Sequence, residues 1–141
     1  MKILFDTCVI IDALQDRKPW GDNAKTLFLM VANRVIDGYI SAKSITDIYY
    51  LMHRCTHSDQ ETRTVLSKLF KLFYIIDTTG MDCRLALSSD ITDYEDAVMI
   101  CSASHSQMDA IVTRNIRDYS KSSVTVFTPD MLISKLSETN G

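Results

Sequence analysis

Hydrophobic residues in this chain form two kinds of pattern, short continuous runs and stripes with the spacing of a helix. The first run covers residues 3–5 and is typical of a strand that is buried on both faces of a sheet. It ends at Asp6, and residues 9–14 then place their apolar side chains on one helical stripe. Asp6 is therefore predicted at the carboxyl end of a strand, the edge of an open α/β sheet where ligands bind.

The same two patterns alternate along the rest of the sequence. Strands are predicted at residues 3–5, 39–41, 74–77, 110–113 and 124–127. Helices are predicted at about residues 9–14, 24–35, 45–52, 59–73, 81–88, 92–108 and 129–136. This alternation predicts a single three-layer α/β domain over residues 1–141, with a mainly parallel sheet of about five strands. The helices within residues 44–73 have no strand between them, so they are predicted to project as a helical hairpin beside the sheet.

Composition and charge narrow the class of protein. The 141 residues are 46% hydrophobic, which excludes a disordered chain. No apolar run reaches the roughly 18 residues of a membrane span, and no secretory signal begins the sequence, so we expect a cytoplasmic protein. The net charge of −3 counts against a nucleic-acid binder, unless the acids are concentrated in a metal site with the bases around it.

Four acidic residues are predicted to meet at one edge of the sheet. Asp6 and Asp118 follow strands, whereas Asp47 and Asp96 lie in the first turns of helices. Strand carboxyl ends and helix amino ends share one edge of a parallel sheet, so all four point toward the same rim.

Each acid also has a structural explanation. Asp6 could cap the following helix, residues 44–47 and 92–95 both fit a capping box, and Asp118 could form a turn. These explanations treat each acid singly and do not account for four carboxylates at one rim. Two such charges 4 Å apart repel by about 4 kcal/mol at an effective dielectric near 20. A rim of carboxylates therefore favours a bound cation. Hard oxygen ligands with open positions suit Mg²⁺ or Mn²⁺, which can activate water for attack on a phosphodiester.

Four segments carry a resemblance to a known family. They are residues 5–12 (FDTCVIID), 40–47 (ISAKSITD), 93–97 (DYEDA) and 113–119 (TRNIRDY). In this order and spacing the chain resembles a PIN domain, the fold of VapC-type toxins and related metal-dependent ribonucleases. The four segments extend over nearly the whole chain, and the first and last are the most specific.

The resemblance implies a metal site and a set of residues around it. Asp6, Asp96 and Asp118 take the family's metal positions, and Asp47 stands where a Glu is usual, as a fourth catalytic acid. The implied supporting residues are Thr7, Glu95, Thr113 and Asn115, the last standing where many members carry a further Asp. Bases near the acids, expected to meet an RNA backbone, are Arg114, Arg117, Lys43 and Arg54.

Three functions are compatible with these residues. The first is a Mg²⁺- or Mn²⁺-dependent endoribonuclease that cleaves single-stranded RNA as the toxin of a toxin–antitoxin pair, the activity that the resemblance implies. The second is an inactive PIN-like module that binds RNA or protein. The third, a phosphohydrolase of small phosphate esters, agrees with the chemistry of the acids but not with the motif. The nearly complete acidic set favours the first. The resemblance also implies a cognate antitoxin and a homodimer.

Overall fold

The computed structural model describes residues 1–140, and it describes side chains as far as residue 138. Five strands run over Lys2–Phe5 (β1), Asp37–Ser41 (β2), Tyr74–Ile76 (β3), Ala110–Val112 (β4) and Thr125–Phe127 (β5). The α-helices are Thr7–Leu14 (α1), Gly21–Ala32 (α2), Ala42–Thr56 (α3), Asp59–Leu72 (α4), Gly80–Leu87 (α5), Tyr94–His105 (α6) and Pro129–Asn140 (α7). A short 3₁₀ helix, Ile116–Tyr119, follows β4.

The five strands form one parallel sheet in the order β3-β2-β1-β4-β5. β1 is central, with Leu4 opposite Tyr39 of β2 on one side and Ile111 of β4 on the other. From β1 the chain builds outward through β2 to β3, then returns to add β4 and β5 on the other side. The strand order therefore reverses between β1 and β4, and such a reversal opens a crevice at the carboxyl ends of the strands.

Side chains of the central strand alternate between two cores. Ile3 and Phe5 are fully buried in the core that contains α1, α2, α3, α4 and α7. Leu4 points to the other face, where α6 buries Met99 and Ile100 and α5 packs against α6. The three-layer α/β fold with a parallel sheet is confirmed. Within the described part of the chain, no helix is long and apolar enough to cross a membrane.

Two details differ from the sequence-based prediction. Met52 of α3 and Leu69 of α4 are buried in the same core as β1, so these helices pack as part of a layer instead of projecting as a hairpin. The second difference is that β2 begins at Asp37, where a helix end was predicted. Gly38 lies against the ring of Phe73, and a Cβ there would come within 2.7 Å of that ring. The glycine serves close packing of a strand under an aromatic ring, whereas in sequence it resembles a turn.

Candidate active site

Asp6 lies at the carboxyl end of β1, at the crevice between β1 and β4. It takes the N-cap position of α1, but its side chain makes no capping hydrogen bond. The hydroxyl of Thr113, the residue that follows β4, instead donates to Asp6 Oδ2 at 2.7 Å. Thr113 is fully buried, and its hydroxyl oxygen accepts the Asn115 N–H at 3.2 Å. Two neighbouring strands thus fix the orientation of the Asp6 carboxylate.

Asp96 reaches the same crevice from the first turn of α6. The residue that caps this helix is Asp93, whose Oδ1 accepts the backbone N–H of Asp96 at 3.0 Å. The capping box predicted for residues 92–95 is therefore wrong, because the helix begins two residues later than predicted. Since Asp93 serves as the cap, the Asp96 side chain is free to point into the crevice.

The hydroxyl of Tyr119 joins the two carboxylates. It lies 3.3 Å from Asp6 Oδ2 and 3.1 Å from Asp96 Oδ1, and its ring is buried. Burial, reinforced by both carboxylate charges, raises the pKa of Tyr119 above its ordinary value, so the hydroxyl keeps its proton. That single hydrogen can be donated to one carboxylate at a time. This role was not predicted from sequence, where its only signal is the tyrosine that ends the 113–119 segment.

The Asp96 carboxyl is the most perturbed acid of the site. Burial raises its pKa to about 6 against the opposing effect of the Tyr119 hydroxyl, and the charges of Asp93, Asp6 and Asp118 add to the rise. Asp118 is thus close enough to act on Asp96 electrostatically, although its own side chain is exposed on the 3₁₀ helix. The carboxylates of Asp6, Asp93 and Asp118 therefore give the surroundings of Asp96 an excess of negative charge.

Lys43 lies between two further acids of the site, Asp47 and Glu95. Lys43 Nζ is 2.7 Å from Asp47 Oδ2 and 3.0 Å from Glu95 Oε1, so it ties α3 to α6. Burial lowers the pKa of Lys43, but the two carboxylates outweigh it and the pKa lies above its ordinary value. Ser41 caps α3 by accepting the Ser44 N–H at 3.3 Å, so the capping box predicted for residues 44–47 is wrong.

These residues surround two adjoining hollows, which we call together the acid cleft. Both hollows are lined by Asp6, Thr7, Leu51, Glu95 and Asp96. The first has a volume of about 310 Å³, and it adds, among others, Lys43, Asp47, Tyr50 and Arg54. The second has a volume of about 320 Å³, and it adds, among others, Arg17, Asp93, Asn115 and Asp118. The structure therefore brings all four predicted catalytic acids to the walls of one cleft.

The two arginines predicted to bind substrate lie outside this cleft. Arg117 lines another hollow with Asp90 and Lys121, and this hollow shares Asp93 and Asp118 with the acid cleft. Arg114 Nε lies 3.0 Å from Asp12 Oδ2, and its guanidinium carbon lies 4.0 Å from the centre of the Trp20 ring. The bases that do face the acids are Lys43, Arg54 and Arg17.

A family model described as PIN domain matches residues 2–117. The chain belongs to the PIN-domain family. The match includes the three segments that carry Asp6, Asp47 and Asp96, together with residues 113–117 of the fourth. No curated protein matches the chain significantly.

Solved structures of similar fold come from bacterial toxin–antitoxin systems. A toxin–antitoxin complex from Klebsiella pneumoniae is 23% identical, with a TM-score of 0.66 over 90% of this PIN domain and 97% of that chain. DNA-bound VapBC from Salmonella typhimurium is 14% identical, with a TM-score of 0.67 and coverage of 92% and 98%. VapBC2 from Rickettsia felis, bound to a promoter DNA fragment, is 16% identical, with a TM-score of 0.64 and coverage of 91% and 98%. These likenesses show that the fold is shared.

The donor set of this PIN domain suits a hard divalent cation that binds few protein ligands. Among the residues whose side chains are described, no group of three or more His, Cys, Asp or Glu is arranged to hold a metal ion. Mg²⁺, however, usually binds one or two carboxylates and keeps several waters until a substrate phosphate joins it. The carboxylates of Asp6 and Asp96 both lie within hydrogen-bond distance of the Tyr119 hydroxyl, and burial together with acidic neighbours raises the pKa of Asp96. These two carboxylates are a pair of this kind.

Proposed function

We propose that this PIN domain is a divalent-metal-dependent endoribonuclease that cleaves single-stranded RNA. The observation that carries the proposal is the meeting of Asp6 and Asp96 at the buried Tyr119 hydroxyl, at the crevice of the sheet. Membership of the PIN family supports the choice of a phosphodiester as substrate. A single strand is proposed because a paired backbone does not readily bend into a cleft ringed by carboxylates.

Asp6 and Asp96 would hold a Mg²⁺ or Mn²⁺ ion, with Asp118 at the wall of the same cleft as a further candidate ligand. When bound, such an ion activates a water and offsets the charge that develops on the phosphodiester. Both principal carboxylates are attached to rigid elements, one to the central strand and the other to a capped helix. Rigid attachment preorganises the site for attack on a phosphate.

Other residues of the cleft orient the carboxylates or neutralise part of their charge. Thr113 holds the Asp6 carboxylate in one orientation. Lys43 neutralises part of the charge on Asp47 and Glu95, which leaves these two acids less available to a cation. Arg54 lines the same cleft and forms no ion pair with any described residue, so its guanidinium is available to an RNA phosphate.

Cleavage of a labelled single-stranded RNA tests the proposal, with duplex RNA and single-stranded DNA compared in Mg²⁺, in Mn²⁺ and in chelator. Asp96→Asn should abolish chelator-sensitive cutting. Asp47→Asn should retain part of it, because Asp47 already forms an ion pair with Lys43 and is less available to a cation. Asp37→Asn is the matched control, since it removes the same charge from an exposed residue at the amino end of β2, whereas the acid cleft lies at the carboxyl ends of the strands.

Cutting that survives both chelator and Asp96→Asn would mean a contaminating nuclease or another mechanism. Normal Mn²⁺ binding without cleavage of any RNA would favour the alternative, a PIN-like module that binds RNA or protein.

We further propose that the protein is a cytoplasmic toxin that forms a homodimer and is held inactive by a cognate antitoxin. The support is that similar folds were solved as toxin–antitoxin complexes. Co-expression with the product of a small gene immediately upstream should give a stable complex that no longer cuts RNA. Light scattering of the free protein should give twice the mass of 16.0 kDa. A monomer, or a complex that still cuts at the full rate, would contradict this part of the proposal.

A further inference from the structure

A further hollow, outside the acid cleft, has no part in the mechanism above. Its walls include Trp20, Asn23 and Arg114, together with Thr128 and Asp130 at the start of α7, and its volume is about 190 Å³. We call it the Trp20 pocket. Trp20 is the only tryptophan of the chain, and 43% of its surface is exposed. A large indole exposed in a hollow is available to a second flat partner.

Arg114 holds the indole from one side. Its guanidinium carbon lies 4.0 Å from the ring centroid, a cation–π stack. Its Nε lies 3.0 Å from Asp12 Oδ2, yet Nε and Asp12 Oδ1 are both buried without a hydrogen-bond partner in the described residues. The ion pair therefore lacks hydrogen-bond geometry at Nε, and Arg114 contacts both the Asp12 carboxylate and the Trp20 ring.

The charges around this stack decide what kind of ligand suits it. Asp12 is buried against Arg114 and offsets its positive charge, so the pocket is a poor phosphate site. The pocket also contains the partly exposed Trp20 indole and the amide of Asn23, which offers both a donor and an acceptor. Asn23 is exposed and makes no hydrogen bond to another described residue. An aromatic ring with polar edges matches this combination.

At two places in the chain, residues close in sequence line the Trp20 pocket and the acid cleft. Arg17 lines the acid cleft, and Trp20 follows it by three residues. Asn115 also lines the acid cleft, and its neighbour Arg114 lines the Trp20 pocket. Consecutive Cα atoms are about 3.8 Å apart, so only a short stretch of backbone separates the residues that line the two hollows.

We propose that the Trp20 pocket is a nucleobase subsite, in which a base of single-stranded RNA next to the cleaved phosphodiester stacks on Trp20. Asn23 meets the polar edge of that base, and Arg114 acts as a positioning residue that holds the indole. Every base offers a π-face, so stacking contributes affinity with little sequence preference. The inference rests on the proposed function, since it names a contact of the same substrate.

The single tryptophan makes the contact directly measurable in the unmodified protein. A single-stranded RNA octamer is titrated into the protein in chelator, and tryptophan emission is recorded while a gel confirms that the RNA stays intact. Stacking of a base should quench the emission in a saturable way. The same titration is made with the tripeptide Gly-Phe-Gly, because an aromatic side chain of a protein is the alternative occupant.

Variants separate stacking from phosphate contacts. By anisotropy of labelled RNA, Trp20→Leu should weaken binding about 5- to 150-fold, and Trp20→Phe should recover much of the loss. Arg114→Gln should weaken binding less than Trp20→Leu. The control Leu29→Ala removes an exposed apolar residue of α2 that does not line the pocket, and it should leave affinity unchanged.

Salt dependence provides an independent readout. Trp20→Leu should shift affinity equally at all salt concentrations, whereas Arg54→Gln should lower the slope of log affinity against log salt by about 0.7. Quenching by RNA, even without any cleavage, would support the subsite while the nuclease proposal fails. Unchanged emission with an RNA that binds and is cleaved, or quenching by Gly-Phe-Gly alone, would overturn the subsite and leave the nuclease proposal standing.

Discussion

Tyr119 links two acids that are ninety positions apart in sequence. Its hydroxyl is within hydrogen-bond distance of Asp6 and Asp96, and it lies in a buried setting where an unpartnered carboxylate oxygen would be costly. The two acids come from a strand end and a helix start, so their pairing depends on a residue that approaches from a third element, the 3₁₀ helix.

We predict that Tyr119→Phe lowers RNA cleavage and Mn²⁺ affinity by roughly 10- to 100-fold, the usual effect of losing a residue that orients metal ligands. The phenyl ring fills the same space, so the fold should survive. Cleavage rate and calorimetric titration with Mn²⁺ provide the readouts. Tyr74→Phe is the control, because it removes an exposed hydroxyl remote from the cleft. An unchanged rate in Tyr119→Phe would remove this residue from the site.

Single residues of the site were predictable to different degrees. Asp6 and Asp96 could be found from sequence because the ends of strands and the starts of helices meet at one edge of a parallel sheet. The role of Tyr119 and the Lys43 contacts to Asp47 and Glu95 could not, because they depend on distances between distant segments. Arg114 looked like a phosphate ligand because a buried partner such as Asp12 leaves no mark on the sequence around Arg114.

At the scale of elements, close packing of β2 under α4 depends on one glycine. Gly38 lies beneath Phe73, whose ring also packs edge-on against Phe5 at 5.0 Å and Phe28 at 5.1 Å. A methyl group at position 38 would meet this cluster of rings and the side chain of Val31 at 2.8 Å.

We predict that Gly38→Ala lowers the free energy of unfolding by about 1–3 kcal/mol, the usual cost of overpacking a core. Urea denaturation with an unchanged m-value would measure this change. Gly80→Ala is the matched control, since Gly80 opens α5 with nothing within 4 Å of its Cβ position. It should be neutral or stabilise by up to about 1 kcal/mol. Equal stability of the two variants would show that the Phe73 ring can move aside.

Element types were largely predictable, whereas several boundaries were not. Apolar runs and helical stripes identified every strand and α-helix of residues 1–140. The starts of α3 and α6 were misplaced because residues 44–47 and 92–95 fit a capping box, whereas Ser41 and Asp93 cap these helices in the structure. Local sequence cannot decide between competing caps when burial of the helix determines which one fits.

For the whole molecule, charge within the acid cleft links cation binding to stability. A ligand that binds only the folded state stabilises it by about 2.7 kcal/mol at one hundred times its dissociation constant. We therefore predict that saturating Mn²⁺ raises the melting temperature by roughly 5–10 °C. The double variant Asp6→Asn/Asp96→Asn should lose this rise, and without metal it should be at least as stable as the wild type because repulsion is relieved.

Differential scanning calorimetry with and without Mn²⁺ measures both effects, and Asp37→Asn should behave as the wild type. An equal rise in the double variant would place the cation elsewhere. A large loss of stability in the metal-free double variant would mean that the two acids serve mainly the fold.

The strand order of the sheet also governs how the protein is made. β1 leaves the ribosome first, yet one of its two neighbours, β4, begins only at Ala110. During synthesis the central strand therefore remains open along one edge until β4 has emerged. Thr113 and Tyr119, which orient Asp6, are translated later still. The Asp6 carboxylate thus gains these two hydroxyl partners only after at least 107 further residues have been translated.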